Sequence, residues 1–100
     1  MARLDVHPMR GGDDLYVLNV QAELLSPLAT RAVVPLMPEA AAPQPIGELN
    51  PVFDIGGRRY VLVTQAIATV PARELKPAVA SLAEHRDRVT RALDLLLLGF

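Results

Sequence analysis

The C-terminal segment Ser81–Phe100 constrains the fold most, because its apolar residues recur with the period of a helix. Leucine and valine line one stripe of this segment, and most charged side chains lie outside that stripe. Ser81 followed by Glu84 is the pattern of a capping box, in which each side chain bonds an unpaired backbone N–H at the start of a helix. Gly99 is a residue type that commonly ends helices. The sequence therefore predicts one helix over Ser81–Phe100.

The last turn of this helix carries four consecutive leucines, Leu95–Leu98. Consecutive residues point all round a helix, so one apolar neighbour cannot easily cover all four. Phe100 adds an aromatic ring just beyond them. Two interpretations stay open from the residues alone. The leucines lie in a core or a dimer interface, or the helix tip is a docking surface for another protein.

Length, charge and composition exclude several classes of protein. The chain has 100 residues, which fits one domain over residues 1–100, and 51% of them are hydrophobic, so a packed core is possible. Ten basic against eleven acidic residues argue against a protein that binds nucleic acid through bulk charge. The absence of cysteine excludes disulfides and thiol chemistry. No segment reaches the roughly 20 apolar residues of a membrane span, so we expect a cytoplasmic protein without membrane contact.

Upstream of the helix, short β-patterned segments alternate with turns. Gly56-Gly57 separates two such segments and is a strong signal for a hairpin with a two-residue turn. Pro35 lacks a backbone N–H, which predicts a strand end or a sheet edge at that position. Strands first and a helix last favour a small antiparallel barrel or sheet with one covering helix. The predicted strands are Arg3–Pro8, Leu15–Gln21, Thr30–Met37, Glu48–Ile55, Arg58–Thr64 and Gln65–Val70.

A bend over Glu23–Leu28 separates the second and third predicted strands. Leu24 and Leu25 are adjacent, so they cannot both point into one sheet core. Either one of them is exposed or at an interface, or the whole bend packs over the core. Further along, the proline- and alanine-rich segment Pro38–Pro45 predicts a semi-stiff connecting loop.

The sequence contains no catalytic motif of useful specificity. It has no glycine-framed serine, no phosphate-binding loop and no dinucleotide fingerprint. His7 stands alone in a strand pattern, which favours a solvated or hydrogen-bonded side chain over a metal ligand. Asp54, Arg58 and His85 are of the types that could form a nuclease site, although nothing fixes their spacing. We therefore predict a recognition protein with no catalytic residue, no cofactor and no metal site.

Several segments, in this order and spacing, resemble the CcdB family of toxins from toxin–antitoxin pairs. The resemblance implies an α+β fold that is mainly β, an SH3-like antiparallel barrel with a small extra sheet and a C-terminal helix, and it implies a homodimer. The segments that carry it are Leu18–Leu25, Arg31–Leu36, Glu48–Gly57, Gln65–Pro71 and the helix ending in Leu98, Gly99 and Phe100.

The same resemblance implies a function through protein binding. Members of the family bind the A subunit of DNA gyrase and trap its complex with cleaved DNA, without catalysing a reaction themselves. A cognate CcdA-like antitoxin neutralises the toxin. No direct binding to nucleic acid is implied. The implied gyrase-binding residues are Leu24, Leu25, Asp94, Leu97, Leu98, Gly99 and Phe100. The implied antitoxin-binding residues are Pro8, Met9, Arg10, Gly11 and Gly12.

The chain departs from the family pattern at its tip. The family ends in tryptophan, glycine and isoleucine, where this chain has Leu98, Gly99 and Phe100; Asp94 replaces an asparagine and Leu97 an aromatic residue. A buried interface tryptophan often contributes about 2 kcal/mol or more. Three functions therefore stay open: a gyrase poison with a repacked tip, an antitoxin-binding protein with weak or no gyrase poisoning, and a toxin with another target, including ribonuclease activity.

Overall fold

Seven strands and one α-helix form the chain in a computed structural model, which describes residues 2–11 and 15–100. All strand pairings are antiparallel, in the order β4-β5-β3-β2-β1-β7. The sheet curls into a nearly closed barrel beside a C-terminal helix, which confirms the predicted mainly-β α+β fold. The elements are β1 Asp5–Pro8, β2 Tyr16–Asn19, β3 Thr30–Pro38, β4 Val52–Ile55, β5 Arg58–Leu62, β6 Ala68–Pro71, β7 Ala80–Ser81 and α1 Arg86–Leu98.

The main core lies on one face of this sheet because side chains alternate along each strand. Val6, Leu18 and Val34 are paired across three neighbouring strands, and all three are fully buried. Val89 of α1 joins the same cluster, so the helix packs against the barrel through this face. The other members of the cluster are Leu4, Leu36, Phe53, Ile55, Tyr60, Leu62 and Leu82.

A smaller cluster occupies the opposite face of β2 and β3. Val17, Val33 and Leu75 form it. The chain around Leu75 runs beside β1, and Met9 pairs with Leu75 there. The small extra sheet that the resemblance implied is, in this chain, a branch of the main sheet, in which β6 pairs with the first half of β3.

The β4–β5 hairpin forms as predicted. Gly56 and Gly57 have φ angles of 59° and 82°, so both adopt the left-handed conformation that a primed two-residue turn needs. Ile55 therefore pairs directly with Arg58.

Pro35 lies inside β3 and not at a strand end or an edge, so that prediction was wrong. The first part of β3, Thr30–Val33, pairs with β6, and the last part, Leu36–Pro38, pairs with β5. Pro35 lies between the part of β3 that pairs with β6 and the part that pairs with β5. Its carbonyl oxygen accepts a 2.9 Å hydrogen bond from the Val63 N–H. A proline is tolerated at this point because no ladder bond requires its missing N–H.

The helix also begins later than the capping-box pattern predicted. Ser81 belongs to β7 and pairs with Asp5, and its hydroxyl accepts a 3.2 Å hydrogen bond from the Ala83 N–H. A short 3₁₀ turn, Ala83–His85, follows before α1 begins. The helix end is confirmed, because Gly99 has a φ angle of 81° and its N–H donates to the carbonyl oxygens of Asp94 and Leu95. Within the described residues, no helix is long and apolar enough to cross a membrane.

Candidate protein-docking surface

The tip of α1 exposes large apolar side chains. Leu97, Leu98 and Phe100 are 68%, 62% and 76% exposed, whereas Leu95 and Leu96 are half-buried. The four leucines are therefore divided between a packed and an exposed side. In a single protomer the core explanation fails for Leu97 and Leu98, which leaves an interface or a docking surface.

The exposure of the tip follows from how α1 is anchored. Its buried residues are Val89 and Ala92, both in its first half. The second half lies beside the 3₁₀ turn Gly47–Leu49, with a groove of about 470 Å³ between them. This groove is lined by Ile46, Gly47, Glu48, Leu49, Arg91, Leu95 and Leu96.

Asp94 lies on the half-buried part of the helix, close to the tip. Its carbonyl oxygen accepts a 3.1 Å hydrogen bond from the Gly99 N–H, so its backbone helps to end the helix. Its carboxylate belongs to neither of the two ion pairs found among the described residues, Arg59–Glu39 and Arg91–Glu48. Asp94 therefore places a formal negative charge beside the apolar tip.

The bend between β2 and β3 forms a second apolar surface. Leu24 is 88% exposed, and Leu25 and Leu28 are also exposed. The segment Glu23–Leu25 forms a single 3₁₀ turn. The alternative in which this bend packs over the core is therefore wrong, and adjacent leucines both face solvent.

The two surfaces lie toward opposite ends of α1 within one protomer. Ala22 and Glu23 line a cavity together with Arg86, the first residue of the helix. The tip lies at the other end of α1, which has 13 residues and so extends about 20 Å. The structure thus gathers Asp94 and Leu97–Phe100 and separates them from Leu24 and Leu25.

The segment implied to bind an antitoxin follows β1. Met9 is half-buried, and the Arg10 N–H and Nε donate 2.9 Å hydrogen bonds to the carbonyl oxygens of Glu74 and Arg73. Gly11 is exposed with a φ angle of 74°. Pro8 is the last residue of β1, and Gly12 lies outside the described residues. Among the described residues of this segment, Arg10 and Gly11 are therefore the exposed ones.

His7 is hydrogen-bonded, as predicted. It is buried, and Nδ1 lies 2.8 Å from the carbonyl oxygen of Lys76. Because a carbonyl only accepts, Nδ1 carries the proton in this contact. Nε2 is buried without a hydrogen-bond partner in the part of the chain that the structure describes. Across residues 2–11 and 15–100, no group of three or more metal-ligating side chains comes together.

The nuclease trio is not assembled. Asp54 is exposed and lies opposite Arg59 in the neighbouring strand. The adjacent residue Phe53 points to the other face of the sheet and is buried. The His85 ring contacts that Phe53 at a tilted angle of 47°, with ring centroids 5.1 Å apart. Asp54 and His85 therefore lie on opposite faces of the sheet, and the suggestion of a site formed by Asp54, Arg58 and His85 was wrong.

Sequence reasoning missed two exposed apolar residues that belong to or adjoin these two surfaces. Ile46 is exposed beside the half-buried leucines of α1, and Leu28 is exposed in the bend. Ile46 is the first large apolar residue after the proline- and alanine-rich loop Pro38–Pro45, and Leu28 directly follows Pro27. Both positions interrupt polar or proline-rich surroundings, and that isolation is the signal that could have identified them.

Comparisons with known proteins agree with this architecture. The structure is similar to Mycobacterium tuberculosis toxin MazF-mt6, with a TM-score of 0.75 and 16% identity over 92% of this chain and 94% of that one. It is also similar to an endoribonuclease in complex with its cognate antitoxin from a mycobacterial species, with a TM-score of 0.78 and 18% identity over 97% and 94% of the two chains. At these identities the similarity shows a shared fold.

Comparison of the sequence itself is more specific. No curated protein matches it. The model of the family described as CcdB protein, however, matches residues 3–99. Because this match covers almost the whole chain, the protein belongs to the CcdB family.

Proposed function

We propose that the chain is the toxin of a toxin–antitoxin pair, that residues 1–100 form one toxin domain, and that it binds the A subunit of DNA gyrase through the tip of α1. Membership of the CcdB family supports the class of function. The observation that carries the specific proposal is the exposure of Leu97, Leu98 and Phe100 at the end of a well-anchored helix.

The tip has the properties of a protein-docking surface. Fully burying a leucine or phenylalanine side chain is worth about 1.5–3 kcal/mol, so three exposed ones represent a large unused contribution to binding. The helical backbone fixes where Leu97 and Leu98 lie, and the left-handed Gly99 sets the direction of Phe100. Such a pre-positioned apolar group loses little conformational entropy on binding.

A homodimer and a CcdA-like antitoxin complete the proposal. A domain of this size buries a modest share of its surface, so pairing with a second copy adds stability. We assign antitoxin binding to the segment Pro8–Gly12, where Arg10 offers a cation at the surface. A partner segment that folds on binding is well suited to wrap such a small protein.

A toxin that binds its antitoxin but poisons gyrase weakly is the second candidate. Leu98 supplies apolar area at the position of the family tryptophan, but it has neither an indole N–H nor an aromatic face. Asp94 adds a charge that a neutral asparagine would not carry. Both differences reduce complementarity to a surface that accepts the family tip.

A ribonuclease is the third candidate. The observation that favours it is the fold shared with a protein described as an endoribonuclease. The separation of Asp54 from His85 removes the only catalytic group that the sequence suggested. Incubation of the purified protein with RNA in the absence of metal tests this candidate directly, and cleavage would favour it over a non-catalytic toxin.

A gyrase cleavage assay tests the main proposal. Purified protein is mixed with gyrase, supercoiled DNA and ATP, and linear DNA is measured after protease treatment. We expect linear DNA with the full chain and none with a variant that lacks Leu98–Phe100 but stays folded. An absence of linear DNA at saturating full-length protein would contradict gyrase poisoning and favour the second or third candidate.

A further inference from the structure

Arg31 is a buried cation whose side-chain hydrogen bonds go to the exposed bend and to Thr30 just after it. It is 7% exposed, and none of the ion pairs among the described residues includes it. Its guanidinium donates to the carbonyl oxygens of Leu28 at 2.6 Å, Thr30 at 2.8 Å and Ser26 at 2.9 Å. A buried charge is costly unless it is paired or hydrogen-bonded. These carbonyl groups are therefore what stabilises the guanidinium in this position.

Gln21 binds the same bend from the end of β2. Its Nε2 donates 3.1 Å hydrogen bonds to the carbonyl oxygens of Leu25 and Thr30. Its Oε1 accepts a 3.0 Å hydrogen bond from the Ala32 N–H. The two carbonyl groups and the N–H together determine the orientation of the Gln21 side-chain amide. Gln21 thus links the bend to β3 independently of Arg31.

The backbone of the bend is ordered as well. The N–H groups of Leu25, Ser26 and Leu28 donate to carbonyl oxygens three residues earlier, at 2.9–3.0 Å. This ordered backbone does not serve to pack leucines into the core, because the side chains of Leu24, Leu25 and Leu28 are all exposed. The bend therefore combines a fixed backbone with a solvent-facing apolar surface.

We infer that Arg31 and Gln21 are positioning residues that hold the bend so that Leu24 and Leu25 are preformed for docking to the gyrase A subunit. The binding part of this inference rests on the proposed function. Holding a loop in its bound conformation increases affinity because less conformational entropy is lost on association. The role differs from general stabilisation because it acts on the partner only through the exposed leucines.

Hydrogen exchange of the free protein tests the positioning without any partner. In Arg31→Met, the amides of Leu25, Ser26 and Leu28 should exchange about tenfold faster or more, because the charged hydrogen bonds to the bend are lost. The amides of Leu18 and Val34 in the barrel should keep their rates. Arg59→Met, which removes an exposed arginine elsewhere, serves as the matched control and should leave the bend unchanged.

Two results would overturn the positioning role. One is an unchanged rate in the bend of Arg31→Met, and the other is an equal increase across the whole sheet in a protein that still folds. If Arg31→Met fails to fold, Gln21→Met provides the same measurement, since Gln21 is only partly buried. An unchanged bend in Gln21→Met would then contradict the inference.

A double-mutant cycle tests whether the positioned leucines are what the partner contacts. Binding to the gyrase A subunit is measured for Arg31→Met in the native background and in a background that carries Leu24→Ala and Leu25→Ala. We expect Arg31→Met to weaken binding about tenfold in the native background. In the background that carries Leu24→Ala and Leu25→Ala, it should cause almost no further loss. Equal losses in both backgrounds would overturn the inference. No binding by the native chain would contradict the proposed function, while the exchange result would still decide the positioning role.

Discussion

The tip of α1 and the bend between β2 and β3 both expose leucines, but the protein holds them in different ways. At the tip, helical backbone hydrogen bonds fix the side chains, and the helix is anchored in the core by Val89 and Ala92. At the bend, the side chains of Arg31 and Gln21 bind the backbone of a short segment that contains a single 3₁₀ turn. The tip therefore depends on the fold as a whole, whereas the bend depends on a few side-chain contacts.

This difference separates two kinds of sequence change. Exposed side chains at the tip can be replaced with little effect on folding, since their backbone is supported by buried residues elsewhere. The bend can lose its conformation through a change at Arg31, which does not itself belong to the apolar surface. The number of leucines on a surface therefore does not indicate which residues hold that surface in its conformation.

The largest effect is expected when the shared support of the helix is broken. Val89→Asp places an unpaired carboxylate in the core and should lower the free energy of unfolding by at least about 3 kcal/mol. Leu97→Asp introduces the same side chain on the same helix at an exposed position and should lower stability by only about 1 kcal/mol, because aspartate is a weaker helix former and its charge lies near the helix C-terminus. Urea denaturation measures both. Similar losses in the two variants would contradict the division of α1 into anchored and exposed parts.

Restoring the family tryptophan at the tip should increase gyrase affinity more than adding a tryptophan at the bend. Leu98→Trp should tighten binding to the gyrase A subunit by about 2 kcal/mol, or about thirtyfold, through the added aromatic face and indole N–H. Leu28→Trp, which adds the same side chain to the bend outside the implied contact set, should give a much smaller change. Calorimetric titration compares them, and an equal gain in both would remove the special role of the tip.

A backbone change at the helix end should have an intermediate effect. Gly99→Ala forces a residue with a Cβ into the left-handed conformation and should cost about 1 kcal/mol of stability. It should also weaken gyrase binding, because Phe100 leaves in a different direction. Thr90→Ala, at an exposed position within the helix, is the control for stability and should stay within about 0.5 kcal/mol. Unaltered stability in Gly99→Ala would show that the left-handed turn is not needed.

The smallest effect is expected from the ion pair beside the groove. Arg91 and Glu48 are joined at 2.8 Å, but their side chains are 49% and 68% exposed. Arg91→Ala should therefore cost less than about 1 kcal/mol, and the loss should shrink further at high salt. Thermal unfolding at low and high ionic strength measures this. A larger loss that resists salt would show that the helix is anchored at the groove as well as in the core.

The sequence predicts those parts of the fold that local chemistry decides. The Gly56-Gly57 hairpin and the Gly99 helix end were predicted correctly because each depends on residues within a turn of one another. The start of α1 was not, because Ser81 is drawn into a strand by Asp5, far away in the sequence. The position of Pro35 was predicted wrongly for a similar reason, because a proline is tolerated there only where β3 changes its partner from β6 to β5.

The candidate surfaces show the same limit. The leucine run identified the tip as apolar, but only the anchoring at Val89 and Ala92 determines which leucines are exposed. The adjacent pair Leu24 and Leu25 suggested that one residue would be exposed, whereas the bonds from Arg31 to the bend leave both outside. Neither outcome is encoded near the leucines themselves, so local patterns could not decide them.

Calorimetric titration of the gyrase A subunit with the full chain and with a variant lacking Leu98–Phe100 tests the central claim most directly. We predict that the truncation weakens binding by about a hundredfold or more, the equivalent of losing two buried apolar side chains. Urea denaturation should show a loss of stability of no more than about 1 kcal/mol, because only the helix cap at Gly99 is removed. Equal affinity of the two proteins would contradict the claim that the tip of α1 is the docking surface.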